Sequence, residues 1–323
     1  MTYLKTFLPY LFGNKRGRSY ELPQSLDWGS LSFEETLMFH TMQGTQDEFT
    51  KTLSDLTSKQ VFHLLSFREH LSPEFLASLK ARFPHEHKVF FDALKGTVLS
   101  NREVQELLDY KTHQLSLFAL FSNDRSKPGR LFIRKADGHF YTKKNGDLWS
   151  VRVLATSGRG LPFNHSNGAT PCGVYTVDSV MPEANKEYEF GKNRRLIVNF
   201  LKTSPGEENI KQFLPKSQRS GLWWAPSIVG RELGRSLLRI HGTGRVNKNP
   251  FSSYFPMIPS SGCLTTTERT FLGMIKINDQ RLLLDALMDS MGLPKTFENE
   301  SKIHGLLYVI NFDGTYQALE FKS

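Results

Sequence analysis

Cysteine is the scarcest chemistry in this chain: Cys172 and Cys263 are the two thiols among 323 residues. Two cysteines make no disulfide framework and do not complete a four-ligand zinc site alone. A single Cys172–Cys263 bridge in an oxidising compartment is the most they permit, and it would consume both thiols. No run of 18 apolar residues occurs, so no membrane-spanning helix is expected. No glycine-rich segment ends in Gly-Lys-Ser/Thr, which argues against nucleotide use. No helix-turn-helix, zinc or RNA-binding signature stands out, and no internal repeat is visible. His85-Glu86-His87 has a His-x-His spacing, but on a helix two such rings diverge by about 200°. No metal or other cofactor is therefore expected.

A hydrophobic content of 39% and a charged content of 23% describe a soluble globular protein. The length favours two domains. Charge divides unevenly between them. Residues 1–125 carry 14 Lys+Arg against 15 Asp+Glu, and residues 126–323 carry 27 against 17. The whole basic excess lies in the C-terminal part, which favours an anionic partner. Nucleic acid is the rival anion, unsupported by any motif.

Helix start signals crowd the first third. Ser32–Glu35, Thr45–Glu48, Thr57–Gln60 and Ser100–Glu103 fit the capping-box template, and Ser72-Pro73 puts proline at a first helical position. Gly96 ends another helix. Apolar residues at helical spacing follow, as in Val61, Leu64 and Leu65. These signals predict five or six short helices between about 31 and 121, a helical accessory domain over residues 20–125. Ser122–Gly129 reads as a linker. Beyond it, strands are predicted at 131–134, 139–142, 148–156, 174–180, 196–200 and 237–240, with hairpin turns at Asp137-Gly138 and Asn145-Gly146. Helices are predicted at 267–276 and 279–291, and a closing hairpin at 306–321. The expected fold class is α+β, a small N-terminal helical domain followed by a mainly β catalytic domain over residues 126–323.

The chemistry concentrates in one stretch. Ile240-His241-Gly242-Thr243 closes an apolar run, and Ser260-Ser261-Gly262-Cys263-Leu264 follows after a polar loop. A thiol attacks as its thiolate, and a neighbouring imidazole is a common way to make one. The pair predicts a Cys263 that alkylates faster than a model thiol near pH 7. The competing reading of Cys263 is a buried inert thiol, and of His241 a strand-end residue satisfied by its neighbours. Trp223-Trp224 either wall a substrate cleft or pack in the core. Arg239 and Arg245 flank His241 and either bind a carboxylate or carry solvated charge. His165, in the flexible loop before Ala169, either contacts substrate or does nothing specific, and His304, in a second Ile-His-Gly, is assigned no role.

This stretch resembles the signature of the L,D-transpeptidase catalytic (YkuD-like) family, a His followed after a short loop by Ser/Thr-His-Gly-Cys. Upstream, Thr170-Pro171-Cys172-Gly173-Val174-Tyr175 resembles that family's Thr-Pro-x-Gly-x-(Phe/Tyr) strand, in the same order. Together they span roughly residues 130 to 323. Three features depart from the pattern: Ser261 stands for the usual His, Thr265 for an Arg, and the loop is about a residue longer. The resemblance implies a curved β fold with Cys263 as nucleophile, His241 as base, and the Gly242 carbonyl fixing the His tautomer. It also implies oxyanion donors around Gly262 and Cys263, with Ser261 alongside; Ser260, Arg245, Trp223 and Trp224 are candidate substrate contacts from their places in the chain. The substrate implied is a peptidoglycan stem tetrapeptide, met in the periplasm or after export to the cell wall by another route. The acceptor is left open between a stem-peptide amine, a free D-amino acid and water. An L,D-carboxypeptidase, a D-amino-acid exchange enzyme, an exported antibacterial effector and a catalytically silent peptidoglycan-binding module are the alternatives. Residues 1–12 make a poor secretory signal, so export is expected to use a removed signal or another route. Oligomeric state is unknown from the sequence.

Overall fold

The computed structural model describes residues 56–66, 68–201, 208–271 and 274–322. The helix signals at Ser32 and Thr45 and the N-terminal segment lie outside them. The chain divides into two compact units, residues 1–91 and 92–323.

In the first unit, α1 (Ser58–Ser66) and α2 (Pro73–Arg82) begin where the caps indicate. The Gln60 backbone N–H donates to Thr57 Oγ1 and the Thr57 N–H to Gln60 Oε1, so each end of the box satisfies the other. Ser72 caps α2 ahead of Pro73. Val61, Leu64, Leu65, Phe75 and Leu79 form the buried faces. Helix α3 (Pro84–Lys95) runs across the division and stops before Gly96.

The second unit opens with α4 (Asn101–Asp109), whose Ser100–Glu103 capping box is complete. Among the described residues ten strands follow: β1 (Ser116–Phe121), β2 (Gly129–Arg134), β3 (Val151–Val153), β4 (Gly173–Val180), β5 (Leu196–Phe200), β6 (Leu238–His241), β7 (Leu264–Thr265), β8 (Glu268–Phe271), β9 (Met274–Asn278) and β10 (His304–Asn311). Helices α5 (Glu187–Phe190), α6 (Glu208–Lys211), α7 (Ala225–Glu232), α8 (Asp279–Ser290) and α9 (Phe297–Glu300) lie between them. The class is mixed α and β. Eight strands form one sheet in the order β3-β2-β1-β10-β4-β5-β6-β7, and β8-β9 pair separately. The two sheet edges meet: Leu154, just after β3, exchanges both backbone hydrogen bonds with Thr265 of β7, at 2.9 and 2.8 Å. The sheet thus curls nearly closed. Its inward side chains, among them Leu117, Ile133, Val153, Val177, Val198, Ile240 and Leu264, pack with Leu283, Leu284, Leu287 and Met288 of α8.

Four expectations change. Residues 116–121 form strand β1 where the helical domain was expected to end, and position 125/126 lies inside the β1–β2 hairpin. Every residue of β1 is buried, and a strand covered on both faces shows no alternation to read. Residues 139–142 contribute isolated bridges and no full strand. The helix expected at 267–276 is the β8–β9 hairpin. The last strand, β10, pairs parallel with β1 and antiparallel with β4 instead of turning into a hairpin, and Tyr316–Ala318 is a short 3-10 turn.

Candidate active site

Strand register brings the two motifs together. Leu196 faces Ile240 across β5–β6, and Ile240 faces Leu264 across β6–β7. Leu238, Ile240 and Leu264 point into the core, so alternation turns Arg239, His241, Cys263 and Thr265 to the opposite face. Continuing each ladder by one residue sets Arg195 beside His241 and Cys263 beside Arg239. Cys263, in the bend just before β7, is then offset by two residues from His241 on the neighbouring strand.

His241 is 2% exposed. Its Nδ1 lies 2.5 Å from the Gly242 carbonyl oxygen. A carbonyl only accepts, so Nδ1 carries the proton and Nε2 is left as the acceptor. Nε2 is buried with no hydrogen-bond partner among the described residues. The ring meets Phe190 edge to face, at 5.0 Å and 88°. Burial pushes the His241 pKa down to about 4, against the Gly242 hydrogen bond, and the nearby Arg195 charge adds to the fall. The imidazole is neutral at pH 7.

Cys263 is a half-buried free thiol. Its Sγ lies 3.9 Å from the Leu237 carbonyl oxygen. Burial pushes its pKa up, opposed by the Arg239 backbone N–H and by the Arg239, Arg235 and Arg195 guanidinium charges. The resting pair is therefore thiol and imidazole, not thiolate and imidazolium. That protonation state argues against fast alkylation at pH 7: the flanking residues point to a nucleophile, but desolvation of the sulfur is invisible in sequence. Leu237 itself has φ +60 and is 73% exposed, a left-handed conformation uncommon outside glycine and often found at functional sites.

The turn carrying Cys263 is pinned at two carbonyls and by its glycine. Ser260 Oγ donates to the Cys263 carbonyl at 2.6 Å, and buried Thr170 Oγ1 donates to the Gly262 carbonyl at 2.9 Å. Thr170 opens the upstream motif, so this bond joins the two motifs directly. Within that motif the Tyr175 hydroxyl donates back to the Pro171 carbonyl at 2.7 Å. Gly262 has φ +109, and a Cβ there would strike Arg235 Nη2 and lie 2.8 Å from the Gly168 carbonyl oxygen. Only glycine fits. Arg235 donates to the carbonyls of Phe163, Ala169 and Gly168, tying the loop before β4 to the approach to β6.

Three groups at the site carried no sequence signal. Arg195 stacks on Phe190 at 4.2 Å and donates to Asn185 Oδ1 at 2.8 Å. Arg235 is the strut just described. Glu268 accepts from the Lys192 N–H at 2.8 Å and Asn193 Nδ2 at 2.9 Å, and fills the space a side chain at position 242 would need. Burial pushes the Glu268 pKa up, against those two hydrogen bonds. Alternation backwards from the predicted strand at 196 is the one rule that reaches Arg195.

Several expected site residues lie elsewhere. Trp223 and Trp224 are 1% and 0% exposed; they are core residues, not cleft walls, because α7 and its approach are packed under cover. Arg245 is 5.2 Å from the ring of Tyr188, which is itself exposed. Ser261 is exposed, and Ser260 serves the turn. Cys172 is a buried free thiol that accepts from Arg125 Nη2 at 3.0 Å, so no Cys172–Cys263 bridge exists. His304 starts β10, three strands from β6, a separation of about 14 Å. Among the described residues no helix is long and apolar enough to cross a membrane. Comparison with known proteins finds no matching family model, no matching curated protein and no matching solved structure.

Proposed function

We propose that this protein is a cysteine acyltransferase acting on peptidoglycan stem tetrapeptides, an L,D-transpeptidase, working outside the cytoplasm. The observation that carries the reading is the register that sets Cys263, just before β7, beside the strand carrying His241, whose Nε2 has no partner among the described residues, with the Thr170–Gly262 bond linking the two resembling motifs. The thiol turns from the Leu237 carbonyl towards Nε2. As sulfur attacks the scissile carbonyl carbon, its proton passes to Nε2, and the Gly242 carbonyl stabilises the imidazolium through Nδ1–H. Backbone N–H groups around Gly262 and Cys263 meet the oxyanion. Collapse breaks the C–N bond, the leaving amine takes the proton from His241, and a thioacyl-enzyme remains. An acceptor amine or water then gives its proton to His241, attacks the thioester carbon and releases the sulfur, which takes that proton back. Water as acceptor makes the protein an L,D-carboxypeptidase, and a D-amino acid makes it an exchange enzyme. An exported effector acting on another cell's wall would use the same steps.

The resting protonation state fits general-base catalysis, in which the proton moves during attack. The desolvated thiol favours a second reading, a silent peptidoglycan-binding module. Mass spectrometry of muropeptides after incubation separates the two. The acyltransferase reading predicts loss of the terminal D-alanine or formation of cross-linked products, absent with Cys263→Ala. Turnover retained in Cys263→Ala overturns the mechanism, and binding without turnover in the unaltered protein supports the module.

A further inference from the structure

Three guanidiniums act on Cys263, and their surroundings separate their roles. Arg235 directs its donors to three backbone carbonyls. Arg195 is buried, stacked on Phe190 and bonded to Asn185. Arg239 is half-buried, and its one described side-chain hydrogen bond runs from Nη1 to the Leu238 carbonyl at 2.6 Å. Its ladder position faces Cys263 across β6–β7, one residue before the Ile240–Leu264 pair. A planar guanidinium in that position offers paired donors to a carboxylate.

We infer that Arg239 is a specificity-determining residue that binds a carboxylate lying within one residue of the carbon attacked by Cys263. The inference rests on the proposed nucleophile and extends it. An acyl donor whose leaving residue ends in a free carboxylate is then favoured over the same donor amidated or extended there.

A pair of alkylating agents tests this without any enzymatic substrate. Iodoacetate and iodoacetamide both need the thiolate, so their rate ratio at Cys263 cancels changes in thiol ionisation. Only iodoacetate presents a carboxylate beside the reacting carbon. In the full chain with Cys172→Ser, Arg239→Gln should lower the iodoacetate-to-iodoacetamide ratio by about tenfold, the scale of one lost charge-assisted pair. Arg239→Lys, which keeps the charge and loses the fork, should fall between, and Arg245→Gln should leave the ratio unchanged. A ratio equal to that of the parent in both Arg239 variants overturns the proposal, as does an equal fall in Arg245→Gln. If the ratio responds to Arg239 but muropeptides are never turned over, the carboxylate site stands and the acyltransferase reading fails.

Discussion

At Cys263 burial and positive charge oppose one another, and burial wins: the thiol is held protonated although the Arg239, Arg235 and Arg195 charges favour the thiolate. Iodoacetamide should therefore label Cys263 more slowly than a model thiol at pH 7, with the rate still climbing above the ordinary thiol pKa of about 8.5. Faster labelling at pH 7, followed by peptide mass spectrometry, would contradict a desolvated resting thiol. His241 makes a complementary prediction about stability. Its pKa is about 4 folded against an ordinary 6.5. Between those values the unfolded chain binds the proton and the folded protein does not, so stability falls as pH drops through that window. The loss amounts to about 3 kcal/mol by pH 4 at 1.36 kcal/mol per unit. His241→Gln should flatten the slope in urea melts taken from pH 7 to 4, and an unchanged slope would place the acid-sensitive group elsewhere.

At the scale of elements, the short turn before β7 decides whether the thiol is presented. Thr170→Val removes the donor to the buried Gly262 carbonyl and should cost about 1–3 kcal/mol, the range for an orphaned buried acceptor. Gly262→Ala meets Arg235 and the Gly168 carbonyl at a positive φ and should cost a similar amount, on the order of 1–3 kcal/mol. Thermal melts of the two variants check both values, and melting as late as the parent would show that the turn does not depend on these contacts. Much of the element structure is legible in the sequence. The capping boxes at Thr57 and Ser100, the proline start at Pro73, and strands β4, β5 and β6 follow from local side chains that act on their own backbone. What stays hidden depends on tertiary cover. β1 is an unbroken apolar run whose two faces are both buried, and 268–278 is a hairpin although its spacing also suits a helix. At the site, the Gly242 contact on His241 Nδ1 is one that the family resemblance implies, and it joins adjacent residues. Arg235 and Glu268 are not legible, and Arg195 only by alternation back from the strand at 196, because their nearness to the site comes from strand register and loop packing.

For the whole molecule, the second unit holds a continuous core from β1 to β10 with α8, and the sheet edges join at Leu154 and Thr265. Residues 97–323 should therefore unfold cooperatively when expressed without the preceding helices; a broad, non-cooperative urea transition would show that the core is incomplete without them. The same unit carries the basic excess of the chain, which suits an acidic, carboxylate-rich substrate. The most direct test of the central claim, that Cys263 is an acylated nucleophile served by His241, is intact-protein mass spectrometry after exposure to a carbapenem, whose strained lactam carbonyl stands in for the scissile amide. The account predicts one added drug mass, mapped to Cys263, forming more slowly in His241→Ala and absent in Cys263→Ser. An adduct that persists in Cys263→Ser, or one that forms equally fast without His241, would contradict it.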